Sequence, residues 1–332
     1  MKKIVAFLCF ATLMFGSCET IVDVDTPPHT PRLTLTYTLS NQVPITNYQK
    51  FFQARGLFVS TSQSVLELKN PEGRKDATVQ VLDETGQVVE QFRSRARYGY
   101  NNNAGQQDSI YGHYVPTRNF AGEPGHTYTL RASAPGVEAV EATLTMPEGA
   151  TIETASYVPS APSSPYVRGT AGRLTCSILD NAATADYYVA YARVLDRSGQ
   201  YWGRVRIDHN RNSGSGPEIN LSRLQLSESS EMHSQYPFSD VIGNGQRISL
   251  SADIYTTYDG SYGAGGAYPE PGYIEVIVSS ITSDAYKFNQ SLNRYNDTDD
   301  NPFAEPAPLF SNLRLGYGIF GGATDVMYRI PL

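Results

Sequence analysis

Apolar and polar positions alternate through most of the chain after residue 32. Leu33, Leu35, Tyr37 and Leu39 alternate with threonines, a period of two that is typical of a half-buried strand. Similar short runs predict seven further strands before residue 147, at 56–61, 64–69, 77–82, 87–93, 110–115, 126–133 and 138–145. Turns such as Glu84-Thr85-Gly86 separate these runs. Short strands at this density predict an immunoglobulin-like or transthyretin-like β-sandwich over residues 32–147.

The second half continues the β pattern and adds one helix. Strands are predicted at 151–158, 172–179, 187–195, 200–208, 246–256 and 273–281. Residues 147–170 are rich in Pro, Ser, Ala and Gly, which places a domain boundary near residue 148. Ser283 is a good N-cap, and Asp284 suits the first turn of a helix near 283–296. The sequence therefore predicts an all-β protein of two β-sandwich domains, 32–147 and 148–332, with one short C-terminal helix.

The first 17 residues have a different pattern. Lys2 and Lys3 precede an apolar run of twelve residues from Ile4 to Phe15. A helix needs about 20 residues to span a bilayer, so we predict a signal peptide at 1–17 that is removed. The stretch from Phe15 to Cys18, FGSC, resembles the lipobox of bacterial lipoproteins, in which cleavage precedes the cysteine and lipid is attached to its thiol. The alternative is an ordinary signal peptide cut near Ser17.

Residues 18–31 are predicted to be the lipidated N-terminus and a spacer. Glu19, Asp23 and Asp25 are similar to the acidic export signals that send Bacteroidota lipoproteins to the outer face of the outer membrane. The segment 26–31, TPPHTP, favours extended polyproline geometry and predicts a stiff spacer. We therefore expect a protein in the outer membrane, lipid-anchored through Cys18 and facing the cell exterior.

Three segments resemble a family of Bacteroidota lipoproteins named only as domain of unknown function 4249. Residues 112–147 contain a Pro-Gly turn, a Tyr-x-Leu strand and a closing Met146-Pro147. In residues 174–188, Asp180 follows a strand and precedes Tyr187-Tyr188. The most specific segment is 301–322, NPFAEPAPLFSNLRLGYGIFGG. The resemblance implies a neighbouring TonB-dependent outer-membrane transporter as partner, and no known activity.

Charge and cysteine content narrow the class of protein. The formal net charge is -7, and removal of Lys2 and Lys3 takes it from -7 to -9, which argues against nucleic acid as a partner. Of three cysteines, Cys9 lies in the signal and Cys18 is the acylation site, which leaves Cys176 with no disulfide partner. Cys176 alternates with Leu174 and Ile178, so we predict a small buried side chain.

The sequence contains no catalytic template. The five histidines stand apart, and there is neither a Gly-x-Ser-x-Gly elbow nor a phosphate loop. The oxygen-rich run from Asn296 to Asn301 suggests calcium, but an EF-hand loop begun at Asp297 would place Pro302 at its sixth position and Pro308 at its twelfth. We predict a solvated acidic loop there, a non-catalytic protein, and no metal or cofactor.

Arg93, Arg95 and Arg97 are one candidate binding site. Their spacing predicts that they project from one face of a strand, where they could bind carboxylates of a ligand or partner. The alternative is a charged edge strand that resists aggregation. The nearby Asp108-Ser109-Ile110 resembles an O-glycosylation motif, with Ser109 as the acceptor.

A long loop from Tyr258 to Tyr273 is the second candidate. It carries Tyr258, Tyr262, Tyr268 and Tyr273 among five glycines. Loops of this length are either functional or passive, and tyrosines provide contact area at low entropic cost. Either a contact surface or a passive loop fits this composition.

These patterns predict a surface-exposed outer-membrane lipoprotein that acts as a non-catalytic binding subunit, and the family resemblance implies that it serves a TonB-dependent transporter in nutrient uptake. Its expected partners are the transporter and the lipid bilayer, the latter through acylated Cys18. The alternatives are a structural or adhesive protein of the cell envelope and, third, a hydrolase.

Overall fold

The computed structural model describes residues 28–43, 52, 55–64, 71–100, 107–162, 169–208, 236–241, 243–260, 269–299 and 307–332. Pro31–Ser62 and Asn70–Leu332 form one compact unit, which holds nearly all of these residues. The other unit, Met1–Thr30 with Gln63–Lys69, is described only at residues 28–30, 63 and 64. Cys18 and the predicted signal peptide lie outside the described residues.

The described part of the chain is mostly β-structure, as the alternating pattern predicts. Its strands are β1 (Leu33–Ser40), β2 (Leu57–Thr61), β3 (Thr78–Leu82), β4 (Val88–Ser94), β5 (Arg97–Tyr100), β6 (Gln107–Ile110), β7 (His113–Pro116), β8 (Thr127–Ser133), β9 (Val140–Thr145), β10 (Thr151–Ser160), β11 (Ala171–Leu179), β12 (Tyr187–Asp196), β13 (Tyr201–Ile207), β14 (Phe238–Ser239), β15 (Arg247–Tyr258), β16 (Pro271–Ile281) and β17 (Tyr317–Pro331). One helix, α1 (Ser283–Asp299), lies between β16 and β17. The all-β prediction is therefore confirmed.

Most of these strands form a single hydrogen-bonded sheet. Its order is β10-β11-β15-β13-β12-β16-β17-β1-β2-β7-β4-β3-β8-β9, and β14 pairs with β12 beside this path. Strands β5 and β6 form a separate two-stranded sheet. Strand β4 changes its pairing partner along its length: Gln91 pairs with β3, and Phe92 pairs with β7. One strand can thus serve two parts of the sheet.

Strand β17 joins the two halves of the sheet. It pairs antiparallel with β16 over Tyr273 to Ile281 and parallel with β1 over Thr34 to Ser40. Glycines allow the close approach to β1: Gly318 has φ +116°, and a Cβ there would lie 1.9 Å from the Leu35 carbonyl oxygen. The pairing of β17 with β1 therefore requires glycine at position 318.

Apolar side chains are buried in two large clusters. The first combines the alternating residues of β1 with buried residues of β3, β8 and β9, and also includes Leu313 and Phe320. The second is built from β11, β12, β13, β15 and β16, with Trp202 as its largest side chain and Cys176 among its members. Cys176 is 2 % exposed, so the prediction of a small buried side chain is confirmed. Burial also raises the pKa of its thiol to about 11.

Helix α1 packs on the face of the sheet opposite the second cluster. Ala285 contacts a group that contains Val189, Ile277 and Ala323, and Phe288 and Leu292 contact Ile319. The helix spans Ser283–Asp299, so the first part of the predicted acidic loop is helical. The predicted cap, Ser283, is its first residue, and the capping hydroxyl is that of Thr282, which accepts from the Ala285 backbone N–H. Among the described residues, no helix is long and apolar enough to cross a membrane.

Two sequence-based expectations about strands were wrong, and one long strand was missed. Residues 110–115 do not form one strand, because Gly112 at φ +99° separates β6 from β7. Strand β4 ends at Ser94 and β5 begins at Arg97, so Arg93, Arg95 and Arg97 do not lie on one continuous strand. The 15-residue strand β17 was not predicted at all.

Candidate functional site

The base of the predicted tyrosine loop is held firmly on both sides. Strand β15 ends at Tyr258, and Pro271 begins β16. The Trp202 indole packs on the Tyr258 ring, with 5.1 Å between ring centroids, and its Nε1 donates a hydrogen bond of 2.5 Å to the Pro269 carbonyl. One tryptophan thus contacts both ends of the loop.

Asp259 adds two hydrogen bonds beside this aromatic contact. Its Oδ2 accepts hydrogen bonds from the Tyr201 hydroxyl at 2.8 Å and from Arg204 Nε at 2.6 Å. The hydrogen bond to Asp259 raises the pKa of Arg204, while burial and the same carboxylate raise the pKa of Tyr201. Both groups keep their protons at neutral pH and continue to donate to Asp259.

A row of charged residues crosses four neighbouring strands beside this loop base. Arg204 on β13 is the direct cross-strand partner of Arg193 on β12. Arg193 is opposite Glu275 on β16, and Glu275 is opposite Arg329 on β17. Side chains at directly paired positions project from the same face of a sheet. We refer to Arg204, Arg193, Glu275 and Arg329 as the arginine row.

Glu275 connects two of these arginines from a buried position. Its side chain is 1 % exposed, and it accepts from Arg193 Nε at 2.7 Å and from Arg329 Nε at 2.8 Å. The Arg193 side chain is 9 % exposed, whereas Arg329 is 57 % exposed. A buried carboxylate of this kind is tolerated because its hydrogen bonds come from charged donors.

The row and its surroundings carry an excess of positive charge. Three guanidinium groups of the row face two carboxylates, those of Glu275 and Asp259. Arg206 lies two residues beyond Arg204 on β13 and is half-buried, and within the described residues its side chain makes no hydrogen bond or ion pair. On a chain with formal charge -7, this face is locally basic. Its donors suit carboxylate or phosphate groups.

The predicted site residues fall in several places. Tyr258 is half-buried against the second cluster, and Tyr273 is half-buried on β16, opposite Leu195 and Pro331. Tyr262 and Tyr268 lie outside the described residues.

The three predicted arginines are distributed over two sheets. Arg93 is exposed on β4, Arg95 is exposed between strands with its backbone N–H donating to the His113 carbonyl, and Arg97 begins β5. Arg93 and Arg97 therefore belong to strands of different sheets.

An acidic cluster forms where Asp180, Asp186 and Asp240 meet. One carboxylate oxygen from each lies within 4.8 Å of the other two. Tyr188 donates to Asp180 at 2.6 Å, so the Asp-Tyr-Tyr segment noted in the sequence corresponds to a direct contact. Burial, with the nearby Asp180 and Asp240 carboxylates, raises the pKa of Asp186. Such a cluster is accommodated either by a retained proton or by a cation that the three oxygens could ligate.

Sequence reasoning missed the arginine row, although a signal for it exists. Arg193 and Glu275 each interrupt a strand that is otherwise almost entirely apolar and buried. Because an ionised side chain is rarely buried without a partner, two such interruptions of opposite charge predict a contact. The register that places Arg204 and Arg329 beside them cannot be read from the sequence alone.

The geometry defines an all-β chain with a rigid loop base and a basic face, and no catalytic constellation is evident among the described residues. A family model described as Domain of unknown function (DUF4249) matches residues 19–329, so the chain belongs to that family. No curated protein matches the chain.

Proposed function

We propose that this protein is a non-catalytic binding subunit in the outer membrane, held there by acylated Cys18 and facing the cell exterior. In this proposal it works with a TonB-dependent transporter in nutrient uptake. The lipobox-like FGSC supports the anchor, and the acidic residues after it support export to the surface. The family resemblance noted in the sequence supports the transporter as partner.

The observation that carries the proposal is the fixed base of the 258–273 loop. Trp202 ties Pro269 to Tyr258, and Arg204 and Tyr201 hold Asp259. A loop whose ends are fixed loses less conformational entropy when its tip binds. Tyr262 and Tyr268, which lie in that loop, are the proposed aromatic contacts, because tyrosine is enriched among residues that dominate interfaces.

The basic face beside the loop supplies the charged part of the proposed contact. Arg206 has no partner among the described residues, so it can bind an acidic group of a partner without losing an internal contact. Arg329 is largely exposed, so it too can reach such a group. Rim charges of this kind accelerate association and set orientation more than they add affinity.

Affinity capture from solubilised outer membranes tests this function. Tagged mature protein should recover a TonB-dependent transporter, and Arg206→Gln should reduce recovery without lowering the unfolding midpoint. Arg173→Gln is the matched control, because Arg173 is an exposed arginine on β11 that pairs with Asp253. If the wild type recovers no transporter, the function in uptake is refuted.

A structural or adhesive role is the alternative, and the edge of the sheet bears on it. The strand order ends at the 10-residue β10, an edge long enough to pair with another chain. However, β10 carries a bulge between Ile152 and Thr154 and contains Pro159, two features that protect edges against pairing. Self-association of the purified protein at micromolar concentration would favour the structural role.

We also propose that the two large buried clusters mark two β-sandwich domains of immunoglobulin-like or transthyretin-like type, divided near residue 147. The residues of the first cluster precede 147 except for Leu313 and Phe320, and the second begins at Ala150. Trp202, the single tryptophan, reports on the second cluster alone. Separate domains would give a tryptophan fluorescence transition in urea distinct from the loss of β circular dichroism, whereas coincident transitions would indicate one cooperative unit.

A further inference from the structure

An open recess is lined by residues of β3, β8 and β9, which lie far from the arginine row in the strand order, and by Arg314 and Leu315. Its volume is about 440 Å³, within the range of small-molecule sites. Polar side chains on β3 and β8 form one wall, and the turn that carries Arg314 and Leu315 forms the other. Ala139 is exposed and contributes apolar surface, whereas Val140 is buried in the first cluster.

Most polar groups of this recess have no internal partner. Within the described residues, the side chains of Thr78, Gln80, Ser133 and Arg314 make no hydrogen bond or ion pair. The one lining acid, Glu141, is paired with Arg131 at 2.5 Å. The guanidinium of Arg314 is therefore the uncompensated charge of the recess, and the remaining donors and acceptors are available to a ligand.

The Arg314–Leu315 turn is fixed in position before any ligand arrives. The backbone N–H of Arg314 donates to the Glu141 carbonyl at 2.9 Å. On one side Leu313 is buried in the first cluster. On the other, a Cβ on Gly316 would lie 2.5 Å from Val140 Cγ1, so only glycine allows this approach.

Leu315 itself has an unusual conformation. Its φ is +64°, although it is a branched residue, and its side chain is 46 % exposed. Strained backbone of this kind persists where the surroundings impose it and is concentrated at binding sites. The turn thus holds an apolar side chain outward, directly beside the free guanidinium of Arg314.

We propose that this recess binds the C-terminal residue of a short peptide. Arg314 binds the free carboxylate, and Leu315 with Ala139 contacts an apolar last side chain. The Gln80 amide and the Ser133 hydroxyl both donate and accept, which suits a peptide group. The site is separate from the loop base and does not depend on a transporter.

Calorimetric titration of the mature protein with acetyl-alanyl-leucine tests the proposal. The same peptide with a C-terminal amide removes the carboxylate, and Arg314→Gln removes its partner. Charge-assisted hydrogen bonds to guanidinium are strong enough that each change should weaken binding by about tenfold or more. Arg173→Gln is the matched control, because Arg173 is an exposed arginine that does not line the recess.

Three results would overturn the proposal. The first is that the free-acid peptide gives no heat of binding at millimolar concentration. The second is that the amidated peptide binds as tightly as the free acid, and the third is that Arg314→Gln binds the free acid as tightly as the wild type does. Arg314 is exposed, so its variant should keep the wild-type circular dichroism, and loss of binding can then be assigned to the side chain. Because this titration contains no transporter, its failure and failure of the membrane capture experiment are distinguishable.

Discussion

Glu275→Gln is the sharpest test of the arginine row. The substitution keeps the shape of the side chain and removes its charge. Glu275 is the acid between Arg193 and Arg329, and Arg193 has a second arginine, Arg204, directly opposite. Without the carboxylate, Arg193 stays buried beside a like charge, which is unfavourable in a sheet.

The structure sets the size of the effect. Breaking a buried ion pair by removing one partner costs about 3–5 kcal/mol, because the other charge remains desolvated. Arg329 is 57 % exposed and regains water, so the cost comes mainly from Arg193, whose side chain is 9 % exposed. The glutamine oxygen still accepts one hydrogen bond. We therefore expect a loss of about 3 kcal/mol, the lower end of that range.

Urea unfolding followed by Trp202 fluorescence measures this loss. The control is Glu270→Gln, which makes the same charge change in an ion pair with Arg197 whose side chains are 78 % and 71 % exposed. Exposed pairs contribute at most about 1 kcal/mol, so the control should stay close to the wild type. If Glu275→Gln costs no more than the control, then the row is not an electrostatically coupled unit and the reasoning fails.

Three further predictions concern other parts of the molecule. Asp186→Asn should raise the unfolding midpoint at pH 7, because the raised pKa of Asp186 means that its ionised form opposes folding. The stability gain of the variant should shrink as the pH falls through the folded pKa of Asp186 and vanish below the unfolded value of about 3.9. A gain that is the same at all pH values would contradict the assignment. Leu315→Gly should increase the free energy of unfolding by about 0.5 kcal/mol, because relief of the left-handed conformation slightly exceeds the entropy cost of glycine. Asn119→Gly, at φ 56°, should give a smaller increase. Cys18→Ala should abolish metabolic labelling with a fatty acid and release the protein from the membrane fraction, and equal labelling of both proteins would refute the lipid anchor.

Strands with a regular period were predictable, and strands without one were not. Strand β1 buries Leu33, Leu35, Tyr37 and Leu39 in the expected alternation, so local pattern and packing agree. Strand β17 contains Gly321, Gly322 and Asp325, residues that disfavour strands in isolation, and only pairing on both sides stabilises it. Its Asp325 is buried because Arg55, 270 positions away, donates to both carboxylate oxygens.

The candidate site residues also divide into those that the sequence pattern marks and those that only strand pairing brings together. Loop composition predicts Tyr258 and Tyr273 as contact residues, and the structure shows only what holds them: Trp202 packs on Tyr258, and Tyr273 lies in the register between Leu195 and Pro331. The arginine row depends on register between strands that are distant in sequence. Register is set by burial and pairing, so it was beyond prediction from single segments.

The position of β17 in the sheet affects how the chain folds while it is being made. Strand β1 has its parallel partner near the opposite end of the polypeptide, and β16 needs the same 15 residues. A nascent chain cannot complete the pairing of either strand until residues 317–331 have been synthesised. Chains that end before β17 would therefore leave β1 and β16 each with one unpaired edge, and an unpaired edge can join another chain and aggregate.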